Sequence, residues 1–327
     1  MNRRKLLTLL SFGVLAGALP ALAQQKGKAW RIGFLGSASP SGAPADRMEA
    51  LRAGLRDLGY VEGKNIVIEY RWAEENYGRL PQLAAELVHL KVDVIVTHGT
   101  PGTRAAKTAT TTIPIVVATS GDLVALGLVA SLARPGGNVT GSTIFTPEIT
   151  AKRLELLADV LPRMRRAAAL INSDNPAKEP VLQALEATAK SRRLELQPFG
   201  VRGQDEFASV FLAMAKSRVD AVVLTDDPML NANFAGIANA AARQRLPSAG
   251  PRESAEAGGL IGYGINLVEM WRRAAFFVDK ILKGAKPGDL PIERATTFDL
   301  VINMKTAKAL GITIPQSILV RADRVIE

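Results

Sequence analysis

From Trp30 onward, short apolar runs rich in valine and isoleucine alternate with longer segments whose apolar residues recur every three or four positions. The short runs predict strands at 31–37, 65–72, 92–98 and 113–120, with helices between them at 46–58, 77–90 and 103–109. In the second of these helices Leu80, Leu83, Ala84, Leu87 and Leu90 fall on one face. Val92-Asp93-Val94-Ile95-Val96 is apolar on both sides of the pleat for most of its length. That is the pattern of a strand covered by helices on both faces. The succession predicts a parallel, doubly wound α/β lobe over residues 30–141.

The pattern then restarts. Strands are expected at 167–172, 194–201, 220–225 and 259–263, and helices at 147–160, 176–193, 205–216 and 229–244, which gives a second α/β lobe over residues 142–265. Ala133-Arg134-Pro135-Gly136-Gly137-Asn138-Val139-Thr140-Gly141 lies near the junction; its proline and paired glycines end a helix and release a short extended piece. A helix over 267–282, a turn-rich loop over 284–291, a strand over 297–303 and a helix over 305–310 ended by Gly311 complete the chain. The segment 266–327 is therefore expected to cross back and finish both lobes. Two similar halves joined by short extended crossings suit a hinge.

Residues 1–23 follow a different rule. Arg3, Arg4 and Lys5 precede an apolar run from Leu6 to Leu19, which closes on Ala21-Leu22-Ala23. A basic start, an apolar core too short to span a bilayer comfortably and a small-x-small end together form an export signal, with cleavage expected after Ala23. The paired arginines also fit a twin-arginine signal, so the export route stays open. With no cysteine in the chain there is no disulfide, no thiolate chemistry and no lipid anchor on cysteine. The expected compartment is the periplasm.

Composition narrows the picture further. Apolar residues make up 47% of the chain and charged ones 22%, the balance of a packed protein. The formal charge is +10, but three of the basic residues sit in the first five positions and most of the rest share helices with acids. These read as solvated helix faces, and no nucleic acid partner is expected. Two histidines and no cysteine leave too few ligands for a metal site and few general bases. The phosphate-binding and nucleophile-elbow motifs Gly-x-Gly-x-x-Gly, Gly-x-x-x-x-Gly-Lys-Ser/Thr and Gly-x-Ser-x-Gly are missing from the positions that would carry chemistry. No catalytic residue, metal or cofactor is expected.

In open parallel sheets, ligands sit beyond the carboxyl ends of the strands. With two such lobes, the expected site is the cleft between them. The first lobe offers Ser37 and Ser39, then Gly99, Thr100 and Thr103, then Ser120 and Asp122. Small hydroxylated residues and glycines let backbone amides approach an anionic group. The second lobe offers Asn172, Asn175, Asp226 and Tyr263, with carboxylates able to take an ammonium. A zwitterion such as an amino acid would suit the pair. Each of these residues also has a plainer reading as a helix cap, above all Asp227-Pro228, where proline follows a capping acid.

Several longer runs carry a resemblance. They are Leu55-Arg56-Asp57-Leu58-Gly59-Tyr60-Val61-Glu62-Gly63-Lys64-Asn65-Ile66 and Val129-Ala130-Ser131-Leu132 continuing through Gly141. Glu256-Ala257-Gly258-Gly259-Leu260 with Tyr263-Gly264, and Val278-Asp279-Lys280-Ile281-Leu282-Lys283-Gly284-Ala285-Lys286-Pro287, complete the set. Together they resemble the ABC-transporter substrate-binding family that includes tryptophan- and tyrosine-binding members. The resemblance implies a type I-like periplasmic-binding-protein fold, ligand trapped by hinge closure, a permease partner in the inner membrane and a monomer. It places Ser37, Thr100, Asp122, Asn172, Asp226 and Tyr263 at the pocket. Two departures stand out: Asp122-Leu123 replaces the usual Asp-Pro, and Ala249-Gly250 are small where the family has an aromatic nearby, which implies a roomier pocket. A ligand sensor for a signalling receptor would use the same fold and cleft, and an exported α/β enzyme is the more distant alternative.

Overall fold

The computed structural model of the chain describes residues 29–39 and 45–327, and the expected export signal over 1–23 lies outside them. The first sheet contains β1 (Trp30–Gly36), β2 (Ile66–Trp72), β3 (Val94–Thr97), β4 (Ile115–Ser120), β5 (Val139–Thr143) and β11 (Glu293–Arg294). The second contains β6 (Arg166–Asn172), β7 (Glu195–Val201), β8 (Ala221–Leu224), β9 (Ser248–Gly250), β10 (Ile261–Gly264), β12 (Asp299–Asn303) and β13 (Arg324–Ile326). The strand orders are β2-β1-β3-β4-β5-β11 and β7-β6-β8-β9-β10-β12-β13. All pairs are parallel except β10 with β12, so the second sheet is mixed at one end.

Alternation along the strands builds two cores on each sheet. In the first, Ile32, Phe34, Val94 and Val96 face α1 (Ala45–Asp57) and α10 (Leu267–Leu282), while Leu35, Ile95, Ile115 and Val117 face α2 (Leu80–His89) and α3 (Gly99–Ala109). In the second, Ala167, Ala169 and Val223 pack under α4 (Thr146–Val160) and α5 (Lys178–Arg192). Ala168, Leu170 and Val222 pack under α6 (Phe207–Lys216), α7 (Pro228–Ala232) and α8 (Phe234–Arg243) on the opposite face. Short helices α9 (Arg252–Glu256), α11 (Met304–Leu310) and α12 (Gln316–Leu319) complete the second lobe. No described helix is long and apolar enough to cross a membrane.

The single helix expected over 229–244 is broken at Asn233, whose side-chain amide donates to the Met229 carbonyl and, across the lobes, to Glu75 at 2.9 Å. Gly311 ends α11 in the left-handed region at φ 72°. Gly141 sits at φ +125°, where a Cβ would overlap the Val117 backbone of the neighbouring strand. That requirement lies inside the run from Val129 to Gly141.

Among the described residues the chain passes between the sheets three times: before α4, before α10 and between β11 and β12. Ile144, Ile265, Leu267, Ala295 and Phe298 come together there, so the three crossings share one small apolar cluster.

Candidate functional site

Between the lobes, beyond the carboxyl ends of both sets of strands, lies a cavity of about 60 Å³. That is room for a few water molecules, and hydrogen bonds from Tyr77 to Asp227 and from Asn233 to Glu75 join the two lobes beside it. His98, Gly99 and Thr100 reach it from the end of β3, and Thr119, Ser120 and Gly121 from the end of β4. Asn172 and Asn175 reach it from β6, and Thr225, Asp226 and Asp227 from β8. Arg47 of α1 and Trp271 of α10 close the first lobe's side.

Of the residues expected from the sequence, Gly99, Thr100, Ser120, Asn172, Asn175 and Asp226 meet at this cavity. The others stand nearby with other contacts. Thr103 is buried one turn into α3, its hydroxyl donating to the Gly99 carbonyl at 2.8 Å. Ser37 is buried at the end of β1 with a hydroxyl that lacks a partner, and Ser39 lies two residues on. Asp122 accepts from the backbone amides of Val124 and Ala125 at 2.9 and 3.0 Å, which fixes the turn after β4. The Tyr263 carbonyl accepts from Arg153, and its ring stacks on Phe298 at 6.0 Å near the crossings.

Two adjacent acids in the second lobe are engaged differently. Asp226 accepts from both terminal guanidinium nitrogens of Arg153, at 2.7 and 3.1 Å. Arg153 is 1% exposed and also donates to the carbonyls of Tyr263 and Leu224, tying together the ends of β10 and β8. Asp227 caps α7 through Met229 and Leu230, with proline at the first helical position. It also accepts from the side-chain amides of Asn172 and Asn175, at 3.1 and 2.8 Å. Its fifth donor is the Tyr77 hydroxyl of the first lobe, at 2.9 Å. Burial pushes the Asp227 carboxyl up from its ordinary value, and these hydrogen bonds oppose the shift. Burial likewise holds the Tyr77 phenol well above its own.

The first lobe's side is short of partners. Arg47 Nε, His98 Nε2, Thr119 Oγ1 and Trp271 Nε1 are buried without a hydrogen bond, as is Asn231 Oδ1 across the cavity. Native proteins rarely leave buried polar atoms unpaired, and here five of them share one cavity. Burial and the Arg47 charge depress the His98 imidazole to about 3, so it is neutral at ordinary pH. The His98 and Trp271 rings pack at 4.8 Å, tilted by 47° to each other. They give the cavity an aromatic wall on the first lobe's side, whereas Ala249 and Gly250, in β9 of the second lobe, do not line it. At that position no extra room opens: both residues are buried, and a Cβ on Gly250 would meet Leu224 at 2.8 Å. Arg47 and Trp271 gave no sign of their role in the sequence, where both look like ordinary members of amphipathic helices. Among the described residues no group of three or more histidines or acids converges as a metal site would need.

A two-lobed α/β fold with a polar cleft at its strand ends defines a class of ligand-binding proteins, and comparison with known proteins gives the family. Residues 43–326 match the ABC transporter substrate binding protein family, and the chain belongs to it. A tyrosine-binding protein of Clostridioides difficile is 27% identical over 257 residues, covering 78% of this chain and 74% of that one. A conserved domain protein of Vibrio cholerae superimposes with a TM-score of 0.83 at 30% identity, over 91% of this chain and all of that one. An ABC domain of Streptococcus pneumoniae, solved in complex with L-Trp, gives 0.82 at 28% identity, again over 91% and 100%.

Proposed function

We propose that this chain is the solute-binding component of an ABC importer, working in the periplasm after export by residues 1–23. It holds a small polar organic ligand, an amino acid or related carboxylate, between its lobes and presents it to an inner-membrane permease. The observation that carries this reading is the set of five buried, unpartnered polar atoms on residues that line a cavity to which both lobes contribute. A ligand would supply their missing partners. The relatives whose names specify tyrosine and L-Trp support an aromatic amino acid as the first compound to try.

The protein is read as a binder without chemistry of its own. His98, the histidine at the cavity, is held near 3 and is no base for neutral solution. Asp226 and Asp227 are each occupied by donors of the protein itself. A ligand that contacts both lobes favours the closed form by its differential affinity for it. Calorimetry with amino acids, paired with small-angle scattering, tests the reading. Binding accompanied by compaction is expected; binding with no change in radius of gyration refutes it.

A further inference from the structure

The geometry points to Arg47 as the anchor for a carboxylate of the ligand, a role resting on the reading of the cleft as a ligand site. Arg47 is 5% exposed and lines the cavity from α1. Its Nε has no partner, and among the described residues its guanidinium forms neither a hydrogen bond nor an ion pair. A guanidinium has five donors and cannot shed its charge, so burying it unpaired is costly. The bidentate partner it is shaped for is a carboxylate.

The acids around Arg47 have other engagements. Asp46 accepts from the Arg47 backbone amide and Asp226 holds Arg153 with both oxygens, while Glu253, the strongest attraction on Arg47, accepts from the Leu267 amide at 3.4 Å through Oε1, leaves Oε2 unpartnered and forms no ion pair with the guanidinium. Their combined attraction falls short of the burial penalty, which lowers the guanidinium pKa from its ordinary value. Arg153 shows what a satisfied buried arginine looks like in this protein; Arg47 is its opposite. The neighbouring orphan atoms strengthen the case, because the Trp271 indole can only donate and the Thr119 hydroxyl is free to. One guanidinium facing Asp226 and Asp227 across the cavity suits a single negative charge better than a phosphate dianion.

The test uses matched probes on the whole chain: L-tryptophan, L-tyrosine and 3,4-dihydroxybenzoate, the amide of each, inorganic phosphate and myo-inositol. Calorimetry is expected to show an acid binding about tenfold or more tightly than its amide, with no phosphate binding. Arg47→Met should lose that preference, binding acid and amide alike, while its ligand-free melting temperature stays level or rises. A variant that merely misfolds would melt lower, and Arg47→Lys, which keeps the charge without the fork, should fall between. Native mass spectrometry of the purified chain extends the test, since an acidic passenger present in the protein and lost from Arg47→Met is also expected. Equal affinity for acid and amide, tight binding of phosphate or inositol, a neutral passenger, or an Arg47→Met variant that keeps the acid preference overturns the proposal. If no probe binds and no passenger is carried, the ligand-site reading itself falls and this one goes with it.

Discussion

Tyr77→Phe isolates the energetics of lobe closure. The Tyr77 ring is wedged against the second lobe's core, beside residues such as Met229 and Leu230, and phenylalanine keeps that packing. What disappears is the hydroxyl, which donates to Asp227 at 2.9 Å and accepts from the Met229 amide at 3.1 Å. The four other donors to Asp227 all come from its own lobe, so this is the bond that closing makes and opening breaks. A hydrogen bond to a charged group has a net worth of about 1.5–3 kcal/mol once exchange with water is counted. Taking about 2 kcal/mol, the closed form loses about thirtyfold in population relative to the open one. Apparent affinity is the intrinsic affinity scaled by the competent fraction, so Kd should rise by up to the same factor. Titration followed through the fluorescence of Trp271 would give Kd, and scattering would give the open fraction. A Kd within about twofold of the parent, with unchanged scattering, refutes the assignment of Tyr77 as a latch.

Gly99→Ala should act on closure by another route: Gly99 lies at φ +71°, and a Cβ there would collide with Pro228 of the opposite lobe. Weaker ligand binding and a more open scattering profile are expected, with secondary structure by circular dichroism unchanged. Arg153→Met strands the part-buried Asp226 and frees two carbonyls, and should lower unfolding free energy in urea by about 3–5 kcal/mol. His98→Gln concerns pH. The native imidazole is held near 3 against an ordinary 6.5, so the unfolded chain takes up the proton first. Stability should therefore fall by about 1.4 kcal/mol for each unit below 6.5, until about pH 3. Asp227 and Glu253, whose carboxyls burial pushes up, act in the opposite sense, so the slope to measure by urea unfolding is the difference between the protein and the glutamine variant. Parallel slopes would contradict it.

The α/β class was readable because burial on both faces writes continuous apolar runs such as Val94-Ile95-Val96, and because Leu80 to Leu87 keep helical spacing. What escaped was short or tertiary in origin. β9 is three small residues, Ser248 to Gly250, with no periodicity to detect. The break between α7 and α8 serves Asn233, whose bond to Glu75 comes from a segment 158 positions away. Reading the basic residues as solvent-facing suits Arg56, whose side chain is 50% exposed, but fails at Arg47 and Arg153. Nothing in Ala45-Asp46-Arg47-Met48 says that the second lobe will roof that end of α1. Strand-end residues such as Thr100, Asn172 and Asp226 could be named from topology alone. The partners each would take could not.

The triple crossing also governs how such a chain can be assembled and dissected. Helix α10 brings Trp271, Ala275 and Val278 onto the sheet begun by Ile32, more than two hundred residues upstream. A fragment stopping at Thr143 would leave that flank of its sheet bare, so cutting the gene at the apparent boundary should give aggregating halves in place of two working modules. Closing so long a loop also raises contact order, which slows folding. An isolated first half would have to be built by splicing residues 267–294 onto residue 143, bypassing the second half altogether.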